Sequence, residues 1–483
     1  MDHREHGKRI AKNTLMLYVR MLFMMFLGLF TSRIVLEALG ENDYGIYNVV
    51  GGVVVMFSVI SGALNSAISR FITFELGKDS ESSRLDSVYS TAVIIQAIIS
   101  MIVIILAEPT GIWFIENEMT IAPERIQAAK IVLQFTLLSF VVNLMSVPQM
   151  ALITAHEKMS VYACIGILDG LLRFGTALLI SHGSSDRLVL YSVLMTSSVL
   201  VVRLAYLLYS RVSFPHIRFR FHTDRSLLKE MFSFAGWGFI GTVSAVLRDQ
   251  GGNILINIFS GTGVNAARAV AFQLNGAIQN FVTNFMTAVN PQITKSYASG
   301  EHDYMFSLMR KSSRMSFYLL FILSLPVLFN TEYILHMWLK DVPEYTAVFV
   351  KLFIVLALCE CISYPLVTAM LATGKISNYQ IVVGGLQLLN LPVSYVLLKI
   401  GYPPETTVVV AICISQICLA ARLVMLRQMI GLSVREFLYR VYFNVLAVAV
   451  VGTVASALVN NYICNHISSM ILCVQQQAFL VCS

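Results

Sequence analysis

Long apolar stretches separated by short polar breaks run the length of this chain, most of them near the 20 residues that carry a helix across a bilayer. Placed by apolar length and loop signals, fourteen spans are predicted: 14–39, 44–69, 87–107, 127–155, 159–181, 188–209, 232–260, 264–290, 312–329, 346–371, 377–398, 406–428, 438–459 and 467–482. The pattern is that of an all-α polytopic membrane protein. A transmembrane β-barrel is excluded, because its strands would read as about ten residues of alternation. The last span is the weakest. "ISSMILCVQQQAFLVCS" is short and carries three consecutive glutamines, which fits a truncated or interfacial end as well as a crossing.

Connections then set the orientation. Lys and Arg collect in the leader (Arg4, Lys8, Arg9, Lys12), around Lys78 and Arg84, at Lys158, over 210–230, over 291–314, at Lys375 and from Arg427 to Arg440. The alternate connections, such as "GEND" and "GTG", are short or acidic. The basic side is therefore expected to be cytoplasmic, with the N-terminus inside. "MDHREHGKRIAKN" precedes a segment too long for a signal core and without a small-residue cleavage site, so an uncleaved first helix is expected. The break "SRVSFPHIRFRFHTDRSLLKE" between spans 6 and 7 reads as a solvated linker, although its alternating "HIRFRFH" would also suit an interfacial strand or an anionic-lipid patch.

That linker falls where a duplicated unit would be joined. "PQMALITAHEKMSVY" (Pro148–Tyr162) returns as "PLVTAMLATGKISNY" (Pro365–Tyr379), with Pro148, Ala155, Lys158, Ser160 and Tyr162 matching Pro365, Ala372, Lys375, Ser377 and Tyr379 at one offset of 217. "LGENDYGIYN" after span 1 answers "FSGTGVNAAR" after span 7, and Gly77 answers Gly300. Six helices per copy is an even number, so the copies form a parallel repeat about the membrane normal. The expected organisation is a lobe over 1–215, a second over 216–430, and two added helices over 431–483. Such repeats place a cavity between lobes that opens alternately to either side.

At this point the residues carry a resemblance. "LGENDYGIYN", and the run from Ala266 through "FQLNGAIQNFVTNFMTAVNPQITKSYASG" with Pro291 and Gly300, resemble the polysaccharide transporters. These are the O-antigen flippase-like branch of the multidrug/oligosaccharidyl-lipid/polysaccharide exporter superfamily. The similarity covers about residues 10–430. It implies a multi-pass protein of the bacterial cytoplasmic membrane that moves a polyprenyl-diphosphate-linked oligosaccharide from the inner to the outer leaflet. The products would be surface polysaccharide such as the O-antigen of lipopolysaccharide. A glycan polymerase and glycosyltransferases of the same pathway, and membrane lipids, are the implied partners; no nucleic acid is.

Composition and charge add the chemistry. Apolar residues make up 57% and charged residues only 13%, so each ionisable group in a span is a candidate for function. The formal charge of +7 is read only after the basic loops are set aside. Even then cations exceed anions in the spans: Arg20, Arg33, Arg173, Arg203, Arg248, Arg268 and Lys351 against Glu37, Asp169, Asp249 and Glu360. Arg33–Glu37 and Asp169–Arg173 are four apart and can pair on one helix face. Arg203, Arg268 and Lys351 lie near span ends, where the arginines can snorkel. Arg20 sits roughly 10 Å and Arg248 more than about 20 Å inside the basic boundary. Asp249, next in sequence, is expected to point about 100° away from Arg248, leaving neither arginine fully neutralised.

Guanidinium matches phosphate oxygens with a fork of donors and keeps its charge when desolvated. Arg20, Arg248, Arg268 and Arg173 are thus the candidate diphosphate ligands, and Asp169, Asp249, Gln273 and Asn275 the polar or coupling candidates. In the resembling family arginines line the cavity from the early helices of each lobe; Arg20, Arg248 and Arg268 fit that placement without an exact motif. No cofactor is expected, with Na+ or H+ coupling left open. The eight cysteines have no metal-binding spacing, and His156 with Glu157 lacks further ligands, so neither a metal nor a catalytic role is expected. A cation-coupled multidrug antiporter of the same superfamily remains an alternative, as does a peptidoglycan-precursor flippase. An antiporter would want unpaired intramembrane carboxylates. A glycan polymerase would need a catalytic cluster, commonly in a sizeable outer loop, and the outer loops here are short.

Overall fold

A computed structural model describes residues 3–55, 57–78, 83–117, 119, 121–181, 186–220, 224–338 and 342–458. Among them there is no strand. The helices are α1 (His3–Val55), α2 (Ser58–Lys78), α3 (Ser83–Asn117), α4 (Ile126–Ala155), α5 (Met159–Ser181), α6 (Arg187–Ser213), α7 (Arg225–Ala298), α8 (His302–Phe329), α9 (Thr331–Trp338), α10 (Thr346–Cys361) and α11 (Tyr364–Ala372). The helical runs α12 (Ser377–Ile400), α13 (Thr406–Ile430) and α14 (Val434–Leu458) complete the described chain. Polar caps start several of them: Asp186 accepts from the Leu188 N–H at 3.1 Å, Asp224 from Ser226 at 2.8 Å and Ser433 from Glu436 at 3.3 Å. Glycines in the left-handed region end others, Gly401 after α12 and Gly431 after α13.

Among the described residues, eleven helical stretches are long and apolar enough to cross a membrane. They match the predicted spans except the second, eighth and fourteenth. The second is broken by a turn at Phe57. The eighth, within α7, carries Gln273, Asn275, Gln279, Asn280 and Asn284, too polar a run to qualify by composition alone. The fourteenth, 467–482, lies outside the described residues.

The two sharp corners expected after spans 1 and 7 are single residues inside continuous helices. Gly40 in α1 has φ 75°, ψ 168°, and Gly261 in α7 has φ 81°, ψ 179°. Only glycine adopts that backbone without strain, which is why both copies keep it. The α4–α5 and α11–α12 corners also agree. Glu157 and Gly374, again 217 apart, both have positive φ, 60° and 76°. Gly77 departs from its predicted counterpart. Gly300 is left-handed at φ 77°, whereas Gly77 is helical and sits where an added Cβ would lie 2.7 Å from the Lys295 Cα.

Contacts divide the chain into two compact units: Met1–Ser244 with Thr287–Met305 and Thr368–Gly384, and Ala245–Met286 with Phe306–Val367 and Gly385–Ser483. In the first, α1 packs on α5, α4 on α6 and α3 on α4. Val35, Leu39, Val103, Ala129, Val132 and Ile180 form part of one buried apolar cluster there. Hydroxyls tie helices together inside it, Ser139 to Thr196 at 2.9 Å and Thr176 to Ser198 at 3.2 Å. Residues 214–220 after α6 are neither helix nor strand; the Arg218 and Arg220 N–H groups donate to Asp86 and Ser90 on α3. In the second unit α10 and α12 pack against α13.

Candidate functional site

Six of the eight candidates assemble into two clusters, one in each unit. In the first unit Arg20 projects from α1 toward α5. Gly166 makes room for it: a Cβ there would lie 2.1 Å from the Arg20 Nε. The guanidinium stacks 4.5 Å from the centre of the Tyr162 ring, the tyrosine of the duplicated corner. Beside it is a cavity of about 250 Å³ lined by Arg20, Asn65, Asn143, Ser146, Asp169 and Tyr206, among others. Asp169 accepts from the Arg173 Nε at 2.9 Å, so the predicted i,i+4 pair is formed. No carboxylate among the described residues lies within 4.0 Å of the Arg20 guanidinium. Two guanidinium groups thus stand against one carboxylate.

In the second unit Arg248 is held from two sides. Its Nε donates to the Asp249 Oδ1 at 2.9 Å and its Nη1 to the Glu360 Oε1 at 2.8 Å. This corrects the expectation that Asp249 turns away and that no carboxylate neutralises Arg248. A long arginine side chain can curl back to the carboxylate of its neighbour even when their Cβ directions diverge, and Glu360 arrives from α10. Arg268 is corrected too. It is 6% exposed rather than snorkelling, donating to the Asn253 Oδ1 at 2.7 Å and the Asp249 carbonyl at 3.3 Å, with its guanidinium 5.2 Å from the Phe353 ring centre. Gly252 admits it; a Cβ there would lie 2.7 Å from Nη2. A cavity of about 170 Å³ is lined by Arg248, Glu360, Tyr364, Gln387, Ser415 and Arg422, among others. Arg422, on α13, is 8% exposed. Around this pocket three guanidinium groups stand against two carboxylates.

The remaining candidates separate. Asn275 is buried, its side-chain oxygen without a hydrogen-bond partner, and Gln273 is exposed on α7. Arg33 and Glu37 are both exposed and form no ion pair with each other, so the pair predicted there is not formed. No group of three His, Cys, Asp or Glu side chains suited to a metal occurs among the described residues.

Sequence reasoning passed over Arg422, although it stands inside a predicted span, and gave Glu360 no role. It also set Glu157 aside. At the α4–α5 corner this carboxylate is 5% exposed and receives Arg9 at 2.6 Å, Lys295 at 2.9 Å and the Gln292 amide at 2.6 Å. Burial opposes its charge, but Lys295, Arg9 and Gln292 together outweigh that and hold its carboxyl below the ordinary value. The one signal in the sequence was that the other copy of the corner has glycine at this position.

Residues 10–297 match the family model described as polysaccharide biosynthesis protein. No curated protein matches the chain. Solved structures share the fold. A MATE protein in the straight conformation superposes with a TM-score of 0.74 at 11% identity, covering 88% of this chain and 97% of that one. A MOP superfamily transporter from Pyrococcus furiosus, described as having a binding pocket of reverse polarity that suggests a different function, gives 0.72 at 10% identity, with 87% and 95% covered. The MATE transporter ClbM in complex with Rb+ gives 0.68 at 14% identity, with 89% and 97% covered. The chain therefore belongs to the polysaccharide biosynthesis protein family and is a multi-pass membrane protein with the MATE transporter fold.

Proposed function

We propose that this protein is an exporter that translocates a polyprenyl-diphosphate-linked oligosaccharide across the cytoplasmic membrane for surface polysaccharide synthesis, with its N-terminus cytoplasmic. The observation that carries the reading is the charge of the two pockets. In the cluster around each pocket guanidinium groups outnumber carboxylates by one, Arg20 and Arg173 against Asp169, and Arg248, Arg268 and Arg422 against Asp249 and Glu360, in segments where an unbalanced charge is costly. An anionic headgroup offsets that excess; a cationic drug would add to it. Arg20 is the primary headgroup ligand, because it alone of the four candidate arginines has neither a carboxylate nor an amide oxygen on its guanidinium. Arg248 and Arg268 supply a second cationic pocket. Family membership supports the pathway, and the reversed pocket polarity reported for a protein of this fold is consistent with a change of substrate charge within it.

Arg20 gives the cleanest test, since its removal strands no buried carboxylate. In a host whose own exporter is deleted, Arg20→Ala is expected to abolish surface glycan while leaving the amount of protein in the membrane unchanged. Arg20→Lys is expected to restore only part of it, because an ammonium supplies charge without the planar fork. Full export by a normally expressed Arg20→Ala variant would overturn the headgroup assignment.

A further inference from the structure

Beyond the two arginine pockets, a further cluster of buried polar contacts lies at the basic end of the first unit, where both copies of the duplicated corner are held. At the α4–α5 corner, Glu157 takes Lys295 and Gln292 from the end of α7 and Arg9 from the start of α1; Asn13 adds a bond to the Glu157 carbonyl at 3.2 Å. At the α11–α12 corner, Arg70 from the end of α2 donates to the Ala372 carbonyl at 3.1 Å. Arg70 is 8% exposed and is enclosed by the rings of Phe71, Phe74 and Phe234 at 4.6, 4.5 and 5.6 Å. A Cβ on Gly374 would come within 2.5 Å of its Nη2.

The arrangement is reciprocal. The end of α2, from the first half of the sequence, grips the second copy of the corner, and the end of α7, from the second half, grips the first. The two gripping ends also touch each other. At Gly77 a Cβ would lie 2.7 Å from the Lys295 Cα and 2.8 Å from the Ala298 Cβ, so the backbones meet where no side chain intervenes. Glu157 holds a left-handed backbone, φ 60°, that its counterpart satisfies with glycine. A non-glycine there costs free energy that glycine would avoid. The carboxylate is thus kept at a strained position that its counterpart fills with no side chain at all.

We propose that Arg70, Glu157, Gln292 and Lys295 form a paired latch that closes the basic end of the transport path and must release at both corners together for a substrate to enter. The inference rests on the duplicated corner and its contacts, not on which substrate is carried. It makes these residues gating rather than substrate-binding groups. Because α2 and α7 meet at Gly77, loosening one corner frees the helix end that supports the other.

Hydrogen–deuterium exchange of the full chain in lipid nanodiscs tests this. In the unmodified protein the amides of 70–78, 154–160, 290–299 and 370–376 are expected to be protected. Glu157→Gln is expected to speed exchange at 370–376, which it does not touch, as well as at its own corner. Arg70→Ala is expected to do the same at 154–160. Each factor should be about tenfold or more, as fits the loss of a charge-assisted hydrogen bond. The middle of α5 should keep its protection in both variants, which shows that the chain remains folded. Local packing alone predicts that each variant loosens only its own corner, and that result overturns the latch, as does an absence of protection in the unmodified protein. A second measurement is independent of those variants. Gly77→Ala, whose Cβ would lie 2.7 Å from the Lys295 Cα, is expected to part the two helix ends and speed exchange at 154–160 and at 370–376 together; faster exchange at only one corner, or at neither, also overturns the proposal.

Discussion

Replacing Arg248 with methionine removes a guanidinium that two carboxylates share, and the consequence can be worked out from its surroundings. The Arg248 side chain is 18% exposed and that of Glu360 21%, so the pair is largely but not wholly withdrawn from solvent. Removing one partner of a buried pair costs about 3–5 kcal/mol, because the remaining charge has no compensation, and partial exposure places Arg248→Met near the lower end, about 3 kcal/mol. Glu360→Gln is milder. The amide oxygen can still accept from Nη1, and Asp249 still neutralises the arginine, so about 1 kcal/mol is expected. With both changes the unpaired Glu360 charge is gone, and only Asp249, 35% exposed, remains without its partner. The double variant should therefore be more stable than additivity predicts, by about 2 kcal/mol. Equilibrium unfolding of the purified protein in detergent, as a double-mutant cycle, measures this directly. Additivity within about 0.5 kcal/mol would refute an energetically significant pair. The cycle also governs how export by Arg248 variants is read: lost export with lost fold says nothing of the headgroup, whereas lost export in a stable Arg248→Lys protein does.

Three further outcomes follow from particular contacts. Gly166→Ala puts a methyl group 2.1 Å from the Arg20 Nε, so it should displace the guanidinium from Tyr162 and impair export while costing about 1–3 kcal/mol of stability; undiminished export would show that the position of Arg20 is not critical. Glu157 has a depressed carboxyl pKa, so its stabilisation is fully present above the ordinary value of about 4.5 and is lost as pH falls through its lower folded value. Exchange at 154–160 should accordingly be unchanged by acidification from pH 7 to 5 once intrinsic exchange rates are corrected for, and should rise only in stronger acid. Single cysteines at Asn42 and Glu344 should react with an impermeant reagent applied to intact cells and one at Arg218 should not; the reverse pattern would invert the proposed orientation.

The sequence shows plainly where this backbone turns and much less plainly which charges meet. Apolar length located the helices because hydrocarbon imposes that length directly. Repetition located the corners because a left-handed residue is a local requirement, written as glycine at 40, 261 and 374. The two failures at Arg248 and Arg268 share one physical origin. Helical geometry fixes where a Cβ points, but a guanidinium at the end of a long flexible chain goes where acceptors and space allow. For Arg248 the acceptor is on Glu360, 112 residues away; for Arg268 the space is made by Gly252 across the Gly261 corner. Neither fact has a local signature. Glu157 is the instructive case, since comparing the two copies exposes it. Where one copy keeps the glycine that the backbone favours and the other places a buried carboxylate, the departure marks a position whose side chain has a task. The same comparison applied to Gly77 and Gly300 finds one glycine retained for its φ and the other for the close approach of two helices. Such paired corners therefore tell most where they disagree, because what both keep is demanded by the backbone and what differs needs a separate physical reason.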